Sequence, residues 1–160
     1  MLEQSQEKYN YESILFKNNY MKDVTTYPKK FWAGGFLFNP KTNEVFLHKR
    51  DGNTQFNPNA FAFFGGLNEK NENPKECFIR ELYEEISLKV KMEEIIYLDD
   101  YLNIEINTHL YFFYVISDVT KDKLILGEGS DFEWFNIEEV FNQNLTEKTE
   151  RSLQIFIAKK

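Results

Sequence analysis

The sequence is poor in the residues that mark secreted, zinc-bound or membrane-spanning chains. It holds one cysteine, Cys77, in 160 residues, so no internal disulfide can form. Its 2 histidines, His48 and His109, have no further histidine or cysteine at a ligand spacing, which favours structural or surface roles over metal ligation. Long apolar runs are missing: stretches such as Leu110–Ile116 fall far below the length that spans a bilayer. Met1–Asn10 is polar and charged and shows neither a signal peptide nor an anchor. Basic charge is also scarce. Against 26 acidic residues stand 19 Lys and Arg, for a net charge of −7, which disfavours a non-specific grip on nucleic acid polymers or anionic lipid. No repeat, low-complexity tract or dividing linker is visible. The expectation is a soluble cytoplasmic protein without nucleic acid polymer or membrane among its partners, and long enough for one domain with a real core.

The Tyr- and Lys-rich residues 1–30 read as an N-terminal extension that offers a surface for a homodimer, and residues 31–160 read as the domain. Phe31–Phe38, the turn formers Asn39-Pro40-Lys41-Thr42-Asn43 and Val45-Phe46-Leu47 predict a β-hairpin. Asp51–Asn59 is a polar loop, Ala60–Phe64 a short apolar run, and Gly65-Gly66 a turn. Pro74 suits the first turn of a helix, where its missing N–H does no harm. Cys77, Phe78, Leu82 and Ile86 then recur at helical spacing and face the core. Ile95–Ile104, Thr108–Ser117 and Phe132–Phe135 read as strands, and Ile137–Phe141 and Thr146–Ala158 as helices. That order suits an α/β fold, a mixed sheet with helices on its faces.

The dense part of the chain lies between Gly66 and Leu88. Gly66 is followed after five residues by Glu72, and after seven more by Arg80-Glu81-Leu82-Tyr83-Glu84-Glu85-Ile86-Ser87-Leu88. On a helix, Glu81, Glu84 and Glu85 share one stripe. Arg80, one turn before Glu84, can pair with it. Carboxylates crowded in this way repel one another, and a hard divalent cation with oxygen ligands is the natural counter-charge. A solvated acidic face is the commoner meaning of a charge cluster; the loop that sets Glu72 at a fixed distance from Gly66 reverses that preference.

This segment resembles the signature of the Nudix hydrolases, which cleave diphosphates linked to another group. It matches every fixed position but one, Ser87 standing for a glycine. The resemblance implies an α/β/α sandwich with a mixed sheet and a Mg²⁺ or Mn²⁺ cofactor. It implies Glu84 and Glu85 as principal metal ligands, with Glu81 binding a further metal or acting as, or orienting, the base. Glu72 becomes a supporting acid, Arg80 the organiser of the glutamates, and the Gly65 backbone carbonyl a metal ligand. Leu126-Gly127-Glu128-Gly129…Glu133-Trp134 is similar to a stretch of MutT-type members, which implies Glu128 as a further metal ligand and leaves Glu133 on the surface. Arg50, at the end of the hairpin, and Gly66 are expected at the substrate. Asn142 and Asn144 are candidates to read a base edge, and one or two aromatic rings to stack on it. Cys77 is expected to be a buried, inert thiol. The expected reaction is hydrolysis of a nucleoside diphosphate derivative, with nucleoside triphosphates of the MutT type first and ADP-ribose or a nucleotide sugar second. A nucleotide sensor without turnover is the rival from another class. An isoprenoid-diphosphate isomerase is disfavoured, because no cysteine precedes the Gly-Gly pair.

Overall fold

The computed structural model describes residues 27–160, so the expected N-terminal extension lies almost wholly outside the described residues. The strands are β1 (Phe31–Asn39), β2 (Glu44–Lys49), β3 (Phe61–Ala62), β4 (Phe64–Leu67), β5 (Ile96–Asn103), β6 (Thr108–Ile116) and β7 (Asp131–Asn136); the helices are α1 (Pro74–Ile86) and α2 (Glu147–Lys159). The strands form one seven-stranded mixed sheet in the order β3-β2-β1-β6-β5, with β4 also on β1 and β7 on β2. Among the described strands only β1 and β6 pair in parallel; the other strand pairs are antiparallel, and a lone parallel bridge joins Phe61 to Leu145.

A strand covered on both faces reads as nearly continuous apolar sequence, and β1 does so. Its Phe31, Ala33 and Leu37 pack with Cys77, Phe78, Leu82 and Ile86 of α1. Its Trp32, Phe36 and Phe38 pack with Leu153 and Phe156 of α2. The helices thus cover opposite faces of the sheet, as the expected sandwich requires. Each fully buried Phe, Leu or Ile contributes about 2 kcal/mol from apolar burial.

The hairpin forms where expected, with Leu37 opposite Phe46 and Asn39 opposite Glu44. Helix α1 starts at Pro74 behind a capping box: the Asn73 side chain accepts from Glu76 N, and Glu76 accepts from Asn73 N. Two sequence expectations are corrected. Gly65-Gly66 is strand rather than turn, opposite Gly34 and Ala33 of β1. The backbones meet so closely that a Cβ on Gly65 would lie 2.5 Å from the Ala33 carbonyl oxygen, and glycine permits that approach. Ile137–Phe141 is not a helix. A turn leads into a single 3₁₀ turn, Val140–Asn142, because the Asn136 side chain accepts from Glu138 N and competes with helical pairing.

Ser87 ends α1 in the left-handed region, at φ 55° and ψ 25°. Ser87 N donates to Tyr83 O at 2.9 Å and Leu88 N to Leu82 O at 3.3 Å, the bonding expected when glycine holds this place. A side chain in this conformation carries a steric cost, partly offset by the extra freedom glycine brings to the unfolded chain. Ser87→Gly is therefore expected to stabilise the fold by about 0.5 kcal/mol, read as a higher urea midpoint with an unchanged slope.

Candidate active site

The site begins at the seam between β4 and α1. Gly66 faces α1 at the level of Glu81, and a Cβ there would lie 2.3 Å from Glu81 Oε1; glycine at this position lets the carboxylate reach the strand. One residue earlier, Gly65 N donates to Glu85 Oε1 at 2.7 Å. Glu81 and Glu85 are buried and Glu84 is exposed.

Arg80 holds this group together. Its Nε and Nη2 donate to the two oxygens of Glu72 at 2.7 and 3.1 Å, a forked pairing that only guanidinium offers. Its Nη1 donates to Glu81 at 2.7 Å and to Glu84 at 3.0 Å, and its Nη2 to the Leu67 carbonyl at 3.0 Å. The bond from Arg80 holds the Glu72 carboxyl below its ordinary range. Burial does the opposite to Glu81, raising its carboxyl. Burial also pushes Glu85 up to about 8, with the charges of Glu81 and Glu128 adding to it and the Gly65 N–H opposing.

Glu128 arrives on a loop docked against the C-terminal end of α1. Gly127 N donates to Glu85 O at 2.7 Å and Ile125 N to Ile86 O at 3.1 Å. A Cβ on Gly127 would sit 2.0 Å from the Glu84 carbonyl oxygen, so a side chain there would lift the loop away. The structure thus brings Glu72, Arg80, Glu81, Glu84 and Glu85 together at Gly65-Gly66, with Glu128 exposed at the rim. Glu133 lies apart on β7, bonded by Lys121 at 2.8 Å. Cys77 is buried; its thiol donates to the Gly66 carbonyl and is pushed up to about 12, chiefly by burial, which leaves it inert at neutral pH.

A cleft of about 680 Å³ is lined by Leu67, whose carbonyl Arg80 bonds, but by none of these acids. Trp32, Arg50, Tyr101, Lys148 and Arg151 are among its lining residues; Asn142 and Asn144 are not. Arg50, expected at the substrate, lines this cleft, its Nε donating to the Phe56 carbonyl at 3.3 Å. Lys148 Nζ lies 3.6 Å from the centre of the Trp32 ring. The Arg151 guanidinium lies 4.0 Å over Tyr101 and donates to Asp99 at 2.9 Å. Burial, and then the charge of Arg50, lower Lys148 to about 8, whereas Glu85 raises it. That coupling links the cleft electrostatically to the acids.

Lys148 and Trp32 escaped the sequence reading as site residues, and His48 entered it only in a structural or surface role. His48 shares one face of β2 with Glu44 and Phe46, and period-two alternation carries a signal for it. Its Nδ1 lies 3.4 Å from Glu85 Oε2. Burial lowers its pKa to about 4, with Arg50 and Lys148 adding. Lys148 shares the stripe of Arg151, Ser152 and Ile155, three, four and seven residues on.

The donors fit a hard divalent ion. They are carboxylate oxygens, and Glu85 Oε2 is buried without a hydrogen-bond partner. Among the described residues, no three ligating side chains already stand close enough together to hold an ion; the Arg80 guanidinium lies between Glu81 and Glu84.

The NUDIX domain model matches residues 29–156, and the chain belongs to that family, the Nudix hydrolases, enzymes that cleave pyrophosphate bonds. Solved structures share the fold. A MutT structure described for Aliivibrio salmonicida and Vibrio cholerae is 23% identical with a TM-score of 0.69, over 83% of this chain and 100% of that one. A MutT protein of Methanosarcina mazei is 18% identical with a TM-score of 0.63, over 82% and 95%. A bifunctional NMN adenylyltransferase/ADP ribose pyrophosphatase of Francisella tularensis, in complex with AMP and a Mn ion, is 17% identical with a TM-score of 0.62, over 98% of this chain and 48% of that one. No helix among the described residues is long and apolar enough to cross a membrane.

Proposed function

We propose that the chain is a Mg²⁺- or Mn²⁺-dependent nucleoside triphosphate pyrophosphohydrolase of the MutT type. The observation that carries this reading is the docked loop Gly127–Gly129, which brings the charge of Glu128 to bear on Glu81 and Glu85, together with a cleft of cationic and aromatic walls whose Lys148 is coupled to Glu85. Glu84, Glu85 and Glu81 would hold the ion, joined by Glu128 and the Gly65 carbonyl. When bound, such an ion offsets phosphate charge and acidifies a coordinated water.

The chain's own residues do the rest. Lys148 and Arg50 attract the polyphosphate into the cleft, where Trp32 and Tyr101 border the nucleoside. Glu81, raised by burial, is suited to accept the proton of the attacking water. Arg80 fixes Glu81 and Glu84 in place, and Glu72 in turn fixes Arg80. Water attacks one phosphorus, and the anhydride P–O bond breaks with the leaving phosphate carrying away its electron pair. The products from a nucleoside triphosphate are the nucleoside monophosphate and pyrophosphate. Cytoplasmic nucleotides are the proposed substrate pool.

ADP-ribose is the second reading, favoured by the fold shared with the Francisella enzyme. A panel of nucleoside triphosphates, ADP-ribose and nucleotide sugars, assayed with Mg²⁺ and with Mn²⁺, separates the two. Release of pyrophosphate from a triphosphate is the expected result. Turnover of ADP-ribose alone replaces the first reading with the second. Tight nucleotide binding with no product in any arm assigns a sensor instead.

A further inference from the structure

Burial leaves two polar atoms beside the acids without a protein partner, His48 Nδ1 and Glu85 Oε2. They face each other at 3.4 Å, too far for a well-formed hydrogen bond. Native interiors seldom leave such atoms unpaired, and two of them face to face call for a common third partner. The imidazole is held in this pose by packing on Phe64, with ring centres 5.3 Å apart. A Cβ on Gly129 would come within 3.2 Å of Nδ1. Glycine there keeps that side of the ring clear and lets the Glu128 loop close over it. Arg80 meanwhile engages Glu81 Oε1 and Glu84 Oε2, so the unengaged buried oxygen lies on the His48 side.

Adjacent donors on an octahedral ion with bonds of about 2.1–2.3 Å stand about 3.0–3.3 Å apart, close to the separation found here. We propose that His48 Nδ1 is a nitrogen ligand, beside Glu85 Oε2, of the divalent ion taken at this site, and that it biases the site towards Mn²⁺ over Mg²⁺. Imidazole suits first-row transition ions, whereas Mg²⁺ is served by oxygen donors. The proposal rests on the metal reading of the Glu81–Glu85 carboxylates.

The test uses the full chain, Mn²⁺ and no substrate. Pulsed electron paramagnetic resonance is expected to show imidazole ¹⁴N coupling to bound Mn²⁺ in the wild type and none in His48→Gln. In that variant the Mn²⁺ dissociation constant rises about tenfold, while the Mg²⁺ constant, read by competition, changes by less than about threefold. Mn²⁺ bound in a Glu85-dependent way without ¹⁴N coupling overturns the His48 assignment and leaves the carboxylate site standing. Mn²⁺ binding that Glu85→Gln does not weaken overturns both. The wild-type spectrum decides the matter even if His48→Gln fails to fold.

Discussion

Replacing Glu85 by glutamine is expected to lower kcat/KM by about three orders of magnitude while leaving the fold intact. The amide keeps the shape of the carboxylate and can still accept from Gly65 N, but it loses the charge. Metal-centred charge stabilisation contributes several kcal/mol to such reactions, and each 1.4 kcal/mol is a factor of ten. Glutamine at the exposed Glu93 serves as the control, with no change. Equal rates for wild type and Glu85→Gln would sink the metal-ligand assignment.

Stability is expected to move the other way. Burial raises Glu85 in the folded protein to about 8, against an ordinary value near 4.5, so between these values the folded state holds a proton that the unfolded chain has released. Its contribution is fully present below pH 4.5 and is lost as pH rises through about 8. Glutamine mimics the protonated form at every pH. Without metal, Glu85→Gln should therefore match the wild type at pH 4.5 and exceed it increasingly towards pH 8. Urea unfolding at a series of pH values checks the sign.

The second large effect concerns folding. Gly35 lies on the central strand opposite Phe113, and a Cβ there would sit 1.8 Å from the Phe113 carbonyl oxygen and 2.7 Å from its carbon. Both are main-chain atoms, so no side-chain rotation relieves the clash, and β1 or β6 must shift. Overpacking at a rigid site typically costs 1–3 kcal/mol, and loss of ladder hydrogen bonds adds to it. Gly35→Ala is expected to destabilise by about 4 kcal/mol, lowering the melting temperature by roughly 10 °C or abolishing soluble expression. Gly52→Ala is the contrast. Its nearest neighbour is the end of the Asn59 side chain at 3.1 Å, in an exposed loop, and a change within about 0.5 kcal/mol is expected. Similar losses from both variants would refute the steric account.

The parts legible in the sequence are those written in local pattern. The hairpin shows in its turn residues, and α1 in Pro74 and the spacing of Cys77, Phe78, Leu82 and Ile86. The pairing of Arg80 with Glu84 follows from helical spacing alone. What remained hidden depends on contacts between distant segments. Gly65-Gly66 reads as a turn until β1 supplies Gly34 opposite it. His48 is a surface candidate until register sets it against Glu85. Lys148 is one charge among many until α2 docks over Trp32. Pro74 and the glutamate spacing act within one helix, whereas the cleft is assembled from strands and a helix far apart in the chain.

Arg80 carries a last implication. Its guanidinium already neutralises Glu72 and spans Glu81 and Glu84, so the chain brings its own internal counter-ion to the acidic cluster. The fold need not wait for a metal to quiet that repulsion, and assembly of the acids is separated from their loading. An incoming cation meets a cluster already shaped and only partly discharged, with Glu85 left over to receive it.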